Sequence, residues 1–304
     1  MAVNIIVILA ALLVCAATIF LSRRHILKNY NAIDTTLDRI LAKDKNLRAE
    51  ANYEDRLSKL VHKANRVMDM YISDATQNIR EKEIIQGFIS DMSHQMKTPL
   101  SSVSMYTDLL IEGNTTKEEQ GEFLARVKAA TDSLEWLMDS LIKMSRLEVG
   151  AIQLSPACQD IRPVISESIG NVFAAASRKN IEIVVADFDD MPLLHDMRWT
   201  QEAITNILEN AIKYTGIGGE IRISVETLAT YTKIVITDNG VGIMKAEWPL
   251  IFKRFFRGSN AKAVGGAGLG LYLAALIMEK QGGYIMVDSV VGEYTAFSLF
   301  LQNC

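Results

Sequence analysis

The first 22 residues carry no charged side chain, the first 98 carry no proline, and the whole 304-residue chain holds only three cysteines. Cys15, Cys158 and Cys304 are far apart, odd in number and lack metal-site spacing. That pattern predicts reduced thiols in a cytosolic compartment and excludes a structural zinc site. An excess of basic charge is also missing. The formal net charge is -4 and the pI about 5.7, which argues against a nucleic-acid partner. With 49% hydrophobic and 22% charged residues the chain has enough apolar material for a folded core. Its length suits roughly two domains at about 150 residues each.

The uncharged start is itself a signal. Val3 to Leu21 is nearly continuous apolar sequence, long enough to cross a bilayer as a helix. Arg23, Arg24, His25 and Lys28 follow at once. Positive flanks stay inside, so residues 1–22 are expected to be a single-pass anchor in a cell membrane. The N-terminus would lie outside and the remainder in the cytoplasm. A secretory signal carries its positive charge before the apolar run, not after it. So short an outer segment is expected to leave no room for an outer domain. Contacts of the anchor are expected with the bilayer, a membrane partner or a cytoplasmic coiled coil.

Without proline, long helices can run uninterrupted. Residues 23–79 read as a helical, coiled-coil-like linker, with scattered apolar positions Ile26, Ile33, Leu37, Ile40, Leu41 and Leu47. A better seam follows at Leu57, Val61, Ala64, Met68, Tyr71 and Ala75, spaced by four and three. It meets Asn78 and Lys82, then resumes at Ile85, Ile89, Met92 and Met96. Residues 80–150 read as a helical hairpin. Ile111 to Asn114 makes the turn, and Thr116 with Glu119 fits a capping box. The second arm then runs Phe123, Val127, Ala130, Leu134, Leu137, Leu141 and Met144. One hairpin cannot close its own core, so two are expected to form a dimeric four-helix bundle.

After Gly150 strands and helices alternate, and residues 156–304 read as an α/β domain. Ile181–Ala186, Ile221–Thr227 and Lys233–Thr237 are expected strands. Ile161–Ser177, Trp199–Tyr214 and Leu269–Gln281 are expected helices. Within this domain Asn206 and Asn210 lie at i and i+4 on one helix face, with Lys213 and Tyr214 following. Carboxamide oxygens beside a cation suit a magnesium–phosphate unit. Asp238, at a strand end, precedes Gly240 and Gly242 and can accept a hydrogen bond from a base amine. Phe252, Arg254 and Arg257 mix aromatics with cations. Gly266, Gly268 and Gly270 open a helix whose N–H groups favour anions.

In the hairpin, His94 falls about 200° around the helix from Met92 and Met96, so its ring is expected to face solvent. A neutral imidazole is a competent nucleophile at neutral pH. Pro99 is expected to kink the helix just beyond it. His25, His62 and His195 have no comparable context.

The four motifs in order resemble the N, G1, F and G2 boxes of histidine-kinase ATP-binding domains. The stretch from Phe88 to Leu100 resembles the phosphoacceptor motif of the same family. The likeness to two-component sensor histidine kinases covers about residues 80–304. It implies a multidomain protein: transmembrane helix, dimeric four-helix bundle, then an α/β sandwich that binds ATP. It further implies phosphorylation of His94 by ATP and transfer to a response-regulator aspartate. Asn206 and Asn210 would hold ATP-bound Mg2+, Lys213 phosphate, Tyr214 the adenine side and Asp238 the adenine amine. Either Arg254 or Arg257 would reach the terminal phosphate. One departure stands out: the position after the acceptor is usually acidic in the family, and here it is Gln95, which can orient the imidazole but cannot take up a proton. Thr98, one turn beyond His94, is placed to hold a water for dephosphorylating the regulator. Gyrase-type ATPases of the wider superfamily are a poorer match, because Asn206 stands where those enzymes place a water-activating glutamate. A non-catalytic scaffold is a third reading, compatible with Gln95 but not with an intact set of nucleotide motifs.

Overall fold

The computed structural model describes residues 2–41, 56–259 and 265–304. Leu47 lies outside the described residues, as do the side chains of Ile33, Leu37, Ile40, Leu41, Leu57, Val61, Ala64 and Asn78. The chain divides into two compact units, 1–90 and 91–304.

In the first unit, helix α1 spans Ala2–Leu41. Its segment Ala10–Lys28, with mean hydropathy 1.5, is long and apolar enough to cross a membrane, and none of it is buried. Helix α2 begins at Arg56. Of the expected seam, Met68 is buried and Ala75 half-buried, whereas Tyr71, Ile85 and Ile89 are exposed in the single chain.

In the second unit α2 continues through Pro99 to Glu112 without a break in the helix. Gly113, at φ +73°, turns the chain in a conformation that disfavours any side chain. Helix α3, Lys117–Glu148, starts on the expected capping box. Glu119 N donates to Thr116 Oγ1 at 3.2 Å, and the Glu119 carboxylate accepts from Thr116 N at 2.7 Å. The two arms meet where the Tyr106 and Phe123 rings lie 5.4 Å apart between centroids, tilted by 37°.

The α/β domain is a seven-stranded sheet covered by three helices: α4 (Arg162–Arg178), α5 (Met197–Tyr214) and α6 (Gly270–Lys280). The strands are β1 (Ala157–Asp160), β2 (Glu182–Val185), β3 (Pro192–His195), β4 (Glu220–Thr227), β5 (Tyr231–Asp238), β6 (Tyr284–Val290) and β7 (Tyr294–Asn303). The order is β1-β3-β7-β5-β4-β2, with β6 also on β7. Strand β7 takes β5 along one edge, while β6 and then β3 share the other. Only β2 and β4 run parallel. In β5, Thr232, Ile234, Ile236 and Asp238 are buried in strict alternation, the period of a strand with one face on the core.

The expected elements appear to within a few residues. Strands β1, β3, β6 and β7 are additions that the sequence reading did not name. The reduced-thiol expectation is overturned. Cys158 and Cys304 are joined in a disulfide across 146 residues of sequence. The sheet itself brings them together, since Cys158 pairs with Leu194 on β3, and Leu194 pairs with Gln302 near the end of β7. His195 is fully buried, its Nε2 3.3 Å from the Gln159 carbonyl, and burial lowers its pKa. It is a core histidine, as its sequence context suggests.

The C-terminus of α5 is held by one cation. Lys179 Nζ donates to the carbonyls of Ile212, Lys213 and Thr215 at 2.7, 3.0 and 3.0 Å. These carbonyls lack partners within the helix, and a positive charge there also meets the negative end of the helix dipole. Lys179→Met is expected to lower the unfolding free energy by about 2 kcal/mol, read from chemical denaturation of the two proteins side by side.

Candidate nucleotide-binding site

A cleft of about 270 Å³ opens between α5, the end of β5 and the start of α6. Of the residues singled out in the sequence, Asn206, Asn210, Lys213, Tyr214, Asp238, Gly242, Arg257, Gly266, Gly268 and Gly270 line it. Gly240, Phe252 and Arg254 do not line the cleft but stand behind or beside its wall. A side chain at Gly240 would meet the Tyr214 carbonyl at 2.6 Å, so this glycine allows the turn to pass under α5. Phe252 packs edge-on against Phe297, which does line the cleft. Arg254 is turned to Glu148 at the end of α3 and to the Tyr272 hydroxyl at 2.9 Å. Of the two arginines left open by the sequence, Arg257 is the one brought to the cleft.

Helix α5 places the carboxamides by its packing. Asp196 caps it by accepting from Trp199 N, and Ala203, Ile204, Ile207, Leu208 and Ala211 bury one stripe. Asn206 lies within that stripe and is itself 6% exposed. Its amide nitrogen donates to the Glu202 carbonyl at 2.8 Å, and that of Asn210 to the Asn206 carbonyl at 3.0 Å. The Asn206 side-chain oxygen is thereby turned toward Gly270 at the start of α6. Oxygen acceptors are what a magnesium ion shared with phosphates takes. Among the described residues no cluster of three or more His, Cys, Asp or Glu side chains forms a protein cage for a metal.

The other wall is backbone. Gly268 has φ +72°, and a Cβ there would meet the Phe256 carbonyl at 2.6 Å. Beyond it α6 begins at Gly270, whose missing side chain leaves room for the Asn206 oxygen. The Lys213 ammonium reaches across to Gly266, where a Cβ would lie 2.4 Å from Nζ, and it sits 4.8 Å from the centre of the Tyr214 ring. A cation, a helix N-terminus and two carboxamides thus face one end of the cleft, an arrangement suited to a polyphosphate.

Asp238 marks the other end. Strand alternation puts its carboxylate on the core side of β5, 3% exposed. Gly240 N donates to it at 2.9 Å. Burial outweighs that hydrogen bond and pushes its pKa up to about 6. Gly242, at φ +70°, lets the Val290 and Val291 backbone approach, and Ile243 N donates to Ser289 Oγ at 2.8 Å.

Several cleft residues were missed in the sequence, Glu209 and Trp136 among them. Glu209 lies between the two asparagines in sequence, and burial and then Glu202 raise its pKa, while Lys143 lowers it. Its position on the asparagine face of α5 is a signal that could have found it. Trp136 comes from α3, and nothing local in the sequence ties it to the cleft. The hairpin residues fall elsewhere. His94 is exposed on α2, Gln95 is half-buried, and the exposed Thr98 hydroxyl donates to the His94 carbonyl at 3.5 Å.

An aspartate with a raised folded pKa favours the folded state when protonated, so its contribution is lost as pH rises from about 4 through about 6. A shift of this size corresponds to about 3 kcal/mol. Asp238→Asn is expected to remove that loss. The difference in unfolding free energy between variant and parent should move in the variant's favour between pH 4 and pH 7. A difference that is flat with pH would refute the buried-charge account.

Comparison with known proteins identifies two families on the chain. Residues 85–150 match the His Kinase A (phospho-acceptor) domain. Residues 195–303 match the histidine kinase-, DNA gyrase B-, and HSP90-like ATPase. Among curated proteins, the sensor-like histidine kinase SenX3 of Mycobacterium tuberculosis is 29% identical over 235 residues, 76% of this chain and 57% of that protein. The signal transduction histidine-protein kinase BaeS of Escherichia coli is 26% identical over 284 residues, 93% of this chain and 59% of that one. The chain therefore spans less than two thirds of the length of these relatives. Solved structures share the fold. The histidine kinase ThkA in complex with the response regulator TrrA matches with TM-score 0.62 and 19% identity, over 78% of this chain and 67% of that one. AdeS of Acinetobacter baumannii matches with TM-score 0.56 and 20% identity, over 69% and 98%.

Proposed function

Since the chain belongs to the two-component sensor histidine kinases, we propose that it transfers the terminal phosphoryl group of ATP to its own His94 and from there to an aspartate of a response regulator. The observation that carries the reading is the pairing, in one chain, of an exposed hairpin histidine with a cleft of matching chemistry. The base amine of ATP would donate to Asp238, and the phosphates would lie against Lys213, Arg257 and the start of α6. Asn206 and Asn210 would hold Mg2+, which supplies charge neutralisation to the phosphates. An imidazole nitrogen of His94 would displace ADP from the terminal phosphorus. Gln95 would orient the ring without accepting its proton.

Two copies would pair their hairpins into a four-helix bundle, covering apolar positions such as Ile85 and Ile89 that are exposed in the single chain. Arg23, Arg24 and Lys28 support an orientation with the N-terminus outside and residues 23–304 in the cytoplasm, with 23–79 as linker, 80–150 as phosphoacceptor hairpin and 156–304 as catalytic domain. A membrane partner could then supply the signal. The regulator would dock on the hairpin near His94. Thr98 would there position water against the aspartyl phosphate, giving the same protein a phosphatase activity.

His94→Gln is expected to abolish acid-labile label from ATP with nucleotide affinity within about twofold of the parent, and retained label would reject His94 as acceptor. Asp238→Asn is expected to weaken ATP binding by about 1.5–3 kcal/mol. In the parent, affinity should fall as pH drops through about 6, where Asp238 takes up its proton, and this pH dependence should shrink in the variant. Undetectable ATP binding by the parent would favour the scaffold reading. Thr98→Ala is expected to keep His94 labelling but slow loss of phosphate from the regulator, followed by timed gels; equal rates would leave Thr98 a helix residue.

A further inference from the structure

The cleft has one wall that the catalytic domain does not supply. Trp136 belongs to α3 of the hairpin, yet it lines the cleft with Asn206, Glu209 and Asn210. It is 37% exposed, so its indole retains surface for a ligand. Its place follows from two pairings. Lys143, seven residues on and on the same face of α3, bonds Glu202 at 2.7 Å. Seven residues along α5 from Glu202, in the opposite direction, is Glu209. Helices α3 and α5 therefore run antiparallel here, and Trp136 sits level with the asparagine face, the polyphosphate end of the cleft. Glu148, lower on α3, is bound to Arg254 and Tyr272, which anchors the same arrangement a second time.

The hairpin gives the other coordinate. Tyr106 and Phe123 are opposite one another. Twelve residues back from Tyr106 is His94, and thirteen on from Phe123 is Trp136. Both arms rise about 1.5 Å per residue, so Trp136 stands at the level of the phosphoacceptor. We propose that Trp136 is a positioning residue of the nucleotide site supplied by the phosphoacceptor hairpin: its indole covers the phosphate end of bound ATP at the height of His94. It thereby holds the hairpin against the catalytic domain and keeps water from the terminal phosphate. This rests on the kinase reading above.

The test uses the full chain in lipid nanodiscs, as parent, Trp136→Ala and Trp136→Phe. At saturating ATP the Ala variant is expected to label His94 about tenfold more slowly or worse. ADP added to the parent is expected to change tryptophan emission by a component that the Phe variant lacks, since Trp199 and Trp248 remain in both. Should the Ala variant fold poorly, the Phe variant, which keeps a ring, still carries the fluorescence arm. A parental labelling rate in a folded Ala variant, or an ADP-induced emission change undiminished by Trp136→Phe, overturns the proposal. Absence of His94 label in the parent would instead be the failure of the kinase reading.

Discussion

A carboxylate on the core side of a central strand is unfavourable unless something polar reaches it, and Asp238 has only one backbone N–H in hand. The surrounding structure is arranged so that the second partner must come from the cleft. Strand β5 is hydrogen-bonded on both edges, by β4 and β7, so it cannot slip by one residue to expose the carboxylate. Gly242 and Ser289 fix the loop that follows, and Gly240 lets it pass beneath α5. Under the proposed function, a ligand that donates a hydrogen bond at that point would relieve the burial of the carboxylate.

Helix α5 has the same double use at the other end. Its buried stripe holds the sheet, and Asn206 is part of that stripe, so a cleft-lining side chain is positioned by core packing rather than by a loop. Lys179 holds the last turn and with it the reach of Lys213. The cleft is therefore built along α5, β5 and the glycine backbone before α6, and the hairpin adds Trp136 to its lining.

Much of this was legible in order along the chain. The i, i+4 asparagines, the strand ending in Asp238 and the Thr116–Glu119 box are local patterns, and each forms where its spacing says. What escaped reading depends on pairing at long range. Strand β6 alternates in burial but turns the apolar Tyr284, Met286 and Val290 outward, so its sequence shows no polar–apolar alternation. Neither Trp136 nor Lys179 has a neighbour in sequence that reveals its role, since each acts on residues far along the chain. The two arginines of the aromatic segment were indistinguishable by type, and only the presence of Glu148 and Tyr272 separates them. The cysteines misled for the same reason, because their spacing describes a chain, not a sheet.

Strand β1 is four residues long, lies at the sheet edge and receives the segment arriving from the hairpin. Any pull along that segment acts on β1 as a peeling load, which breaks ladder hydrogen bonds one at a time. The Cys158–Cys304 bond rivets β1 to the end of β7, the strand that carries three neighbours. Tension from the hairpin then reaches the middle of the sheet as shear across many bonds together. With the bond closed, β1 cannot peel away without loading β7 as well.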